Sequence, residues 1–495
     1  MSRRPFPIKM TTVAIKRMAW FFLSIILSSL LLILAYNSTE HYSKLAFWFM
    51  LYLNVVIFGL IIKTSHLEID FLEPYYVVLF LFTLYIWTSA LAEVINRGDR
   101  ISIMPIYYQC AILGIFGFIL GYQYIHCSKL DLVRSLVSFS PSIYHKKYYK
   151  IVLLSAIVFA IFNYKNLINI FNIGNISPYT EVAASNRVGR TESFGFVSYM
   201  QQLSILFILG SLFIKSFVQR KLSIGSTIVF GIYAVFEIMA GGKSVIIAFI
   251  TLLLIYYNYI IRRLRFTPVF ICTLLLLMFV TIFSVVRSTT SIPEMVKIAS
   301  AHYEESLLFL TPLRNGEFIG PPRTLMNVID SIQNGYMDFS FGSTYISELA
   351  IFIPKIFYSD RPLPMSERYM EIFHPGSLAE GMGEGSSMLT EGYWAFGHAG
   401  VFIAMFIYGA VVSIYYKILK RNLNNGVMIF IYYLAFFPLI TTATRTGLIG
   451  AFKGTAMAVL PFFLILCLSI KHHKVGHFPN RREPEIMHGS KIAAS

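Results

Sequence analysis

The chain has 495 residues, of which 56% are hydrophobic, 16% aromatic and only 13% charged, with a formal net charge of +16. So little polar surface cannot cover a water-soluble globule of this size, which excludes a soluble enzyme and indicates an all-α polytopic membrane protein. The four cysteines, Cys110, Cys127, Cys272 and Cys467, lie in or at the ends of apolar runs without paired spacing or a histidine cluster, so neither a disulfide framework nor a metal site is expected.

The chain begins with a basic stretch, Met1 to Arg17, followed by an apolar run without a small-residue cleavage site, which reads as a retained first span. With about 20 apolar residues needed to cross the hydrocarbon core, the sequence predicts about 12 transmembrane helices. They fall at residues 18–36, 45–62, 75–94, 105–125, 151–163, 196–217, 222–240, 244–260, 267–286, 398–416, 427–441 and 446–470. An even number puts both termini on one side. Arg3, Arg4, Lys9, Lys16 and Arg17, then Lys146, Lys147 and Lys150, then Arg220 and Lys221, then Arg262, Arg263 and Arg265, then Lys417, Lys420 and Arg421 all fall on that same side, which the positive-inside rule makes cytoplasmic. The net charge is therefore a signal of orientation and no sign of nucleic-acid binding. Four regions result: transmembrane helices with short loops over 1–286, a large extracytoplasmic loop over 287–397, further transmembrane helices over 398–470, and a basic cytoplasmic tail over 471–495.

The large loop carries seven Lys and Arg against 13 Asp and Glu, and a loop of this length argues for structure and function of its own. Pro321 and Pro322, followed by Leu325, Val328, Ile329 and Ile332, have the prolines of a helix start and one apolar stripe, which predicts a short amphipathic helix lying on the membrane surface. Residues 343–357 are apolar but too few to cross, as suits a segment on or dipping into the bilayer. Residues 360–387 are crowded with glycine, proline and charge; Gly381, Gly383 and Gly385 permit close backbone approach to a ligand. Arg361, Arg368, His374, Glu380 and Glu384 supply a varied set of chemical groups there.

The run from Ile353 to Pro362, a glycine-bearing gap, and then Glu391-Gly392-Tyr393-Trp394-Ala395-Phe396-Gly397 leading into a helix resembles the large-loop pattern of O-antigen and oligosaccharide repeat-unit polymerases of the Wzy type. Upstream, Ala240-Gly241-Gly242-Lys243-Ser244 is similar to a Gly-x-Arg segment of such polymerases and the related ligases, with lysine standing in place of arginine. The resemblance implies a membrane-embedded glycosyltransferase of GT-C-like fold in the bacterial inner membrane, working without metal or other cofactor. It further implies undecaprenyl-diphosphate-linked glycans as substrates, with a chain-length regulator protein as a partner. An O-antigen ligase and a lipid-linked oligosaccharide flippase are the alternatives on sequence.

Transfer from a lipid diphosphate needs cations on the leaving group and a base for the acceptor hydroxyl. Arginine suits the first task because its planar fork matches phosphate oxygens in pairs. Arg287, at the outer end of the ninth predicted span, and Arg445, at the start of the twelfth, are the leading candidates, with Lys243 and the deeper Lys453 adding to the field. Arg323 and Arg361 in the large loop, and Arg187 and Arg190 in a second outer loop, can bind diphosphate or sugar. Glu391 is the first candidate base, because the start of a span can bury it enough to raise its proton affinity; Glu384 and His374 are the others. Tyr393 and Trp394, with Tyr369 and Phe373, are candidates for stacking on sugar rings.

Overall fold

The computed structural model describes residues 40–64, 70–95, 100, 102–128, 150, 154, 213–239, 244–265, 267–273, 275–276, 320–350, 353, 358, 362–376, 384–441 and 444–469. Every regular element among the described residues is helical, the main ones being α1 Glu40–Thr64, α2 Pro74–Ile95, α3 Met104–Cys127, α4 Ile224–Met239, α5 Ser244–Tyr256, α6 Gly320–Gln333, α7 Ser343–Ala350, α8 Met365–Phe373, α9 Met388–Arg421, α10 Gly426–Phe436 and α11 Leu448–Ser469. A π-helical turn follows α5 at Tyr257–Ile261 and another follows α10 at Phe437–Thr441. Among the described residues, α3 and α9 are the two helices long and apolar enough to cross a membrane.

Among the described residues these two helices pack together most closely, and glycine is the reason they can. Gly117 and Gly121 lie one turn apart on α3, and a Cβ added to either would come within 2.7 Å and 2.0 Å of the carbonyl oxygens of Phe402 and Phe406 on α9. From the other side, a Cβ on Gly409 would meet the Phe118 carbonyl oxygen at 2.3 Å. Small residues four apart let helix backbones touch where apolar side chains gain nothing by leaving lipid.

Helix α9 is bent rather than straight. Phe396 and Gly397 leave helical geometry, Gly397 with φ of 60° and ψ of −143°, and Gly392 packs directly on Gly400 across the break. The part after the break, 398–421, has a length of about 36 Å, enough by itself to cross the hydrocarbon core. The part before it, 388–395, is a separate helical piece outside the spanning rod. Ser387 caps it by accepting the Thr390 amide.

At one end of the bundle Asp70 is buried and fully hydrogen-bonded. Its Oδ1 accepts from Asn258 Nδ2 at 3.0 Å, and its Oδ2 accepts from the hydroxyls of Tyr259 and Tyr416, each at 2.9 Å. The neighbouring Glu73 accepts from the Tyr122 hydroxyl at 2.6 Å. This knot gathers the ends of α3, α5 and α9, and with them Arg262 to Arg265, Lys417, Lys420 and Arg421, at one end. At the opposite end α6, α7, α8 and 388–395 form a polar layer.

One expectation changes here. The apolar stripe of α6 exists, but Leu325, Val328 and Ile329 are buried against the helix bundle instead of lying on a bilayer surface. The stretch 360–387, crowded with glycine, proline and charge, contains helix α8.

Candidate active site

The polar layer is organised around Glu384, on the segment entering α9. Arg323 Nη1, from α6, lies 3.5 Å from Glu384 Oε1, and His374 Nε2 lies 3.2 Å from Oε2. The Tyr369 hydroxyl donates to that same Oε2 at 3.4 Å, while accepting from Asn327 Nδ2 at 2.5 Å. Asn327 in turn accepts from Arg100 Nη1 at 2.7 Å. Burial first, and the Glu384 charge second, push the Tyr369 phenol up, so it remains a neutral donor. Arg323 and His374 are 44% and 42% exposed, against 15% for Glu384, so the carboxylate sits behind two side chains that reach toward solvent.

Local sequence builds this arrangement. Pro364 is extended, with φ of −60° and ψ of 157°, and sets the entry to α8; Glu367 lies in the first turn, where an acid favours the helix dipole. The helix stops at His374, followed by Pro375 and a left-handed Gly376 with φ of 89°. His374 is thus held at a helix end, beside Tyr369 one turn earlier.

Arg445 stands against the other flank of the same segment. A Cβ added to Gly385 would lie 3.6 Å from Arg445 Nε and 3.7 Å from the Arg445 carbonyl oxygen. Glycine at 385 thus lets the backbone next to Glu384 run alongside the arginine. Arg323, His374, Glu384 and Arg445 are brought into one neighbourhood from α6, α8, the entry to α9 and the entry to α11.

Glu391 has a different setting. It is 0% exposed; its Oε2 accepts the Leu448 amide at 2.6 Å, and its Oε1 has no hydrogen-bond partner among the described residues. The carboxyl caps the first turn of α11, a helix other than its own, and Gly447 makes room for it, since a Cβ there would come 2.7 Å from Oε2. Burial pushes the Glu391 carboxyl up to about 8, with the Leu448 amide pulling down and the Glu348 charge pushing up. Glu391 therefore fixes the start of α11 three residues after Arg445, with its carboxyl buried.

Glu348, which sequence reading passed over, is a second buried carboxyl of this kind. Its Oε1 accepts the Met365 amide at 3.0 Å and so caps α8. Burial raises its proton affinity, the Met365 amide and the Lys453 charge lower it, and Glu367 raises it. Lys453 thus has Glu348 as an electrostatic neighbour. The legible signal was a carboxylate in the apolar run 343–357, where a charge needs a partner.

Tyr393 and Trp394 are buried, at 5% and 1% exposure, and fill the inside of the α9 bend instead of presenting open faces. The Arg368 guanidinium lies 5.2 Å from the Trp394 ring, and Tyr393 packs edge-on to Phe339 and His398. Tyr369 and Phe373 stack on each other at 4.5 Å. Arg287, Lys243, Arg361, Arg187 and Arg190 lie outside the described residues. Among the described residues, no group of three His, Cys, Asp or Glu side chains is arranged to hold a metal ion.

The family model described as O-antigen polysaccharide polymerase Wzy matches residues 18–474, nearly the whole chain. Searches of curated proteins and of solved structures gave no match.

Proposed function

With the chain belonging to the O-antigen polysaccharide polymerase Wzy family, we propose that its polar layer is where lipid-linked repeat units are joined. The protein polymerises O-antigen repeat units and is an integral inner-membrane protein, as its family is. We place the reaction on the outer face, in a GT-C-like bundle of about 12 spans with both termini cytoplasmic. Undecaprenyl diphosphate is the carrier, and a chain-length regulator protein is a partner.

In the proposed step, an acceptor hydroxyl oxygen bonds to the anomeric carbon of the donor glycan while the bond from that carbon to a diphosphate oxygen breaks. The leaving lipid diphosphate keeps the electron pair, and Arg445 and Arg323 neutralise its developing charge. Arg287 and Arg361 add to this clamp, and Lys243, Arg187 and Arg190 help to bind the diphosphate or the glycan. The hydroxyl proton passes to His374. With Nε2–H donated to Glu384, the lone pair rests on Nδ1, and the carboxylate stabilises the imidazolium that forms. Glu391 positions Arg445 through α11, and Tyr393 and Trp394 support the bend.

The observation that carries this reading is the convergence of Arg323 and His374 on Glu384 beside Arg445. The experiment is a deletion strain complemented with wild-type or Arg445→Lys protein. Loss of the polysaccharide ladder with accumulation of single lipid-linked repeat units supports the reading. Full-length polymer retained on the carrier lipid indicates ligase activity and overturns it.

A further inference from the structure

Helix α8 is held at three points. At its N-terminus the Met365 amide donates to Glu348 Oε1 at 3.0 Å. Along its length Arg368 lies over Trp394 at 5.2 Å, and Tyr369 reaches Glu384 and Asn327. At its C-terminal cap His374 meets Glu384 at 3.2 Å. The N-cap residue, Pro364, offers no side-chain hydrogen bond of its own. Glu348 thus supplies from α7 the acceptor that the local sequence lacks.

We propose that Glu348 is a positioning residue for glycosyl transfer: by holding the first amide of α8 it fixes the helix so that His374, at the other end, stays on Glu384. This rests on the reading of His374 as the base. A helix of this length is a rod of about 13 Å at 1.5 Å per residue, so its start and its end move together. A slip of one turn, about 5.4 Å, exceeds the 3.2 Å contact that orients the imidazole. The choice of acid at 348 fits the job. Glu348 is buried, at 8% exposure, and the Lys453 charge on α11 compensates it, so the carboxyl stays in place without solvent. The two buried carboxyls of the layer then act alike: Glu391 pins the helix that follows Arg445, and Glu348 pins the helix that ends in His374.

The test is a double-mutant cycle on purified full-length protein in nanodiscs, with a lipid-linked repeat unit as substrate and rates normalised to folded protein. Glu348→Ala is expected to lower kcat by about 10- to 100-fold with little change in KM, since misplacing a catalytic group by about 1 Å carries losses of that order. Glu348→Gln keeps an oxygen for the Met365 amide and is expected to recover most of the rate. Combined with His374→Gln, Glu348→Ala should cost nothing further, because the group it positions is already gone.

Additive losses in the double variant, or a wild-type kcat in Glu348→Ala, overturn the proposal. A wild-type rate in His374→Gln alone overturns the reading of the base instead, so the two failures are separable. A variant Glu348→Ala that does not fold is replaced by Glu348→Gln and Met365→Pro; the latter removes the donating amide at a first-turn position that tolerates proline. It should reproduce the loss of kcat, and a wild-type kcat in it overturns the proposal.

Discussion

Glu391 and Leu448 are 57 residues apart in sequence, yet the carboxylate of one accepts the backbone amide of the other at 2.6 Å with no solvent between them. The bond joins the piece of α9 before its bend to the first turn of α11, and so fixes the stretch from Thr444 to Gly447 that carries Arg445. Glu391→Ala removes the acceptor and leaves a buried amide without one, which costs about 1 to 3 kcal/mol. Glu391→Gln keeps an acceptor oxygen and should unfold near the wild-type temperature. Thermal unfolding in nanodiscs decides; equal losses in both variants contradict the capping role.

The same carboxyl makes stability depend on pH with a definite sign. Folding raises its pKa from the ordinary 4.5 of a glutamate to about 8, so between those values the folded state holds more protons than the unfolded chain. Its contribution is fully present below the unfolded value and is lost as pH rises through about 8. The unfolding temperature of wild type minus that of Glu391→Gln should therefore fall from about pH 5 to about pH 9. Parallel curves would remove Glu391 as the source.

Arg445→Lys keeps the charge beside Gly385 but loses the planar fork that grips two phosphate oxygens. Polymer should fall at unchanged protein level, by about 10-fold or more if one charge-assisted bond of about 1.5 to 3 kcal/mol is lost in the transition state. A full ladder on the gel would make Arg445 an interfacial anchor.

Gly121→Ala places a methyl carbon 2.0 Å from the Phe406 carbonyl oxygen, and the obstacle is backbone, not a flexible side chain. Alanine at 121 should separate α3 from α9 and cost stability, whereas Gly225→Ala, with nothing within 4 Å, should not. Comparing folded yield by size-exclusion chromatography tests the contrast.

How much of this was legible in the sequence varied with the reach of the interactions. The positions of these helices read well because each is a local apolar run: 105–125 and 427–441 fall on α3 and on α10 with its π turn. The start of α6 was legible from Pro321 and Pro322, but its apolar stripe does not say whether lipid or protein will cover it. Helix α8 hid between prolines and glycines, although Glu367 in the first turn and Pro375-Gly376 as a stop were readable signals. The Gly117 and Gly121 spacing was readable too, as a contact motif for α3. Arg323, His374 and Glu384 were each chosen as chemistry-bearing residues, but their meeting depends on α6 and α8 packing on the entry to α9. The setting of Glu391 was out of reach, because the amide that it caps belongs to a helix 57 residues away.

Orientation has its own check. Cysteines placed at Ser377 and Ser223, in a background free of the native four, should differ toward a membrane-impermeant thiol reagent in intact cells. The reagent should modify position 377 and spare position 223. The reverse pattern would invert the outer placement of the site.

The most direct test of the central claim compares His374→Gln with Glu391→Gln in repeat-unit extension by purified protein, with bound lipid-linked substrate measured alongside. Removing a general base costs about 10²- to 10⁴-fold in rate. His374→Gln is therefore predicted to lose extension by that order while still holding substrate, and Glu391→Gln to keep most of its rate. Wild-type extension in His374→Gln, with collapse in Glu391→Gln, would contradict the account and return the base to the buried carboxyl.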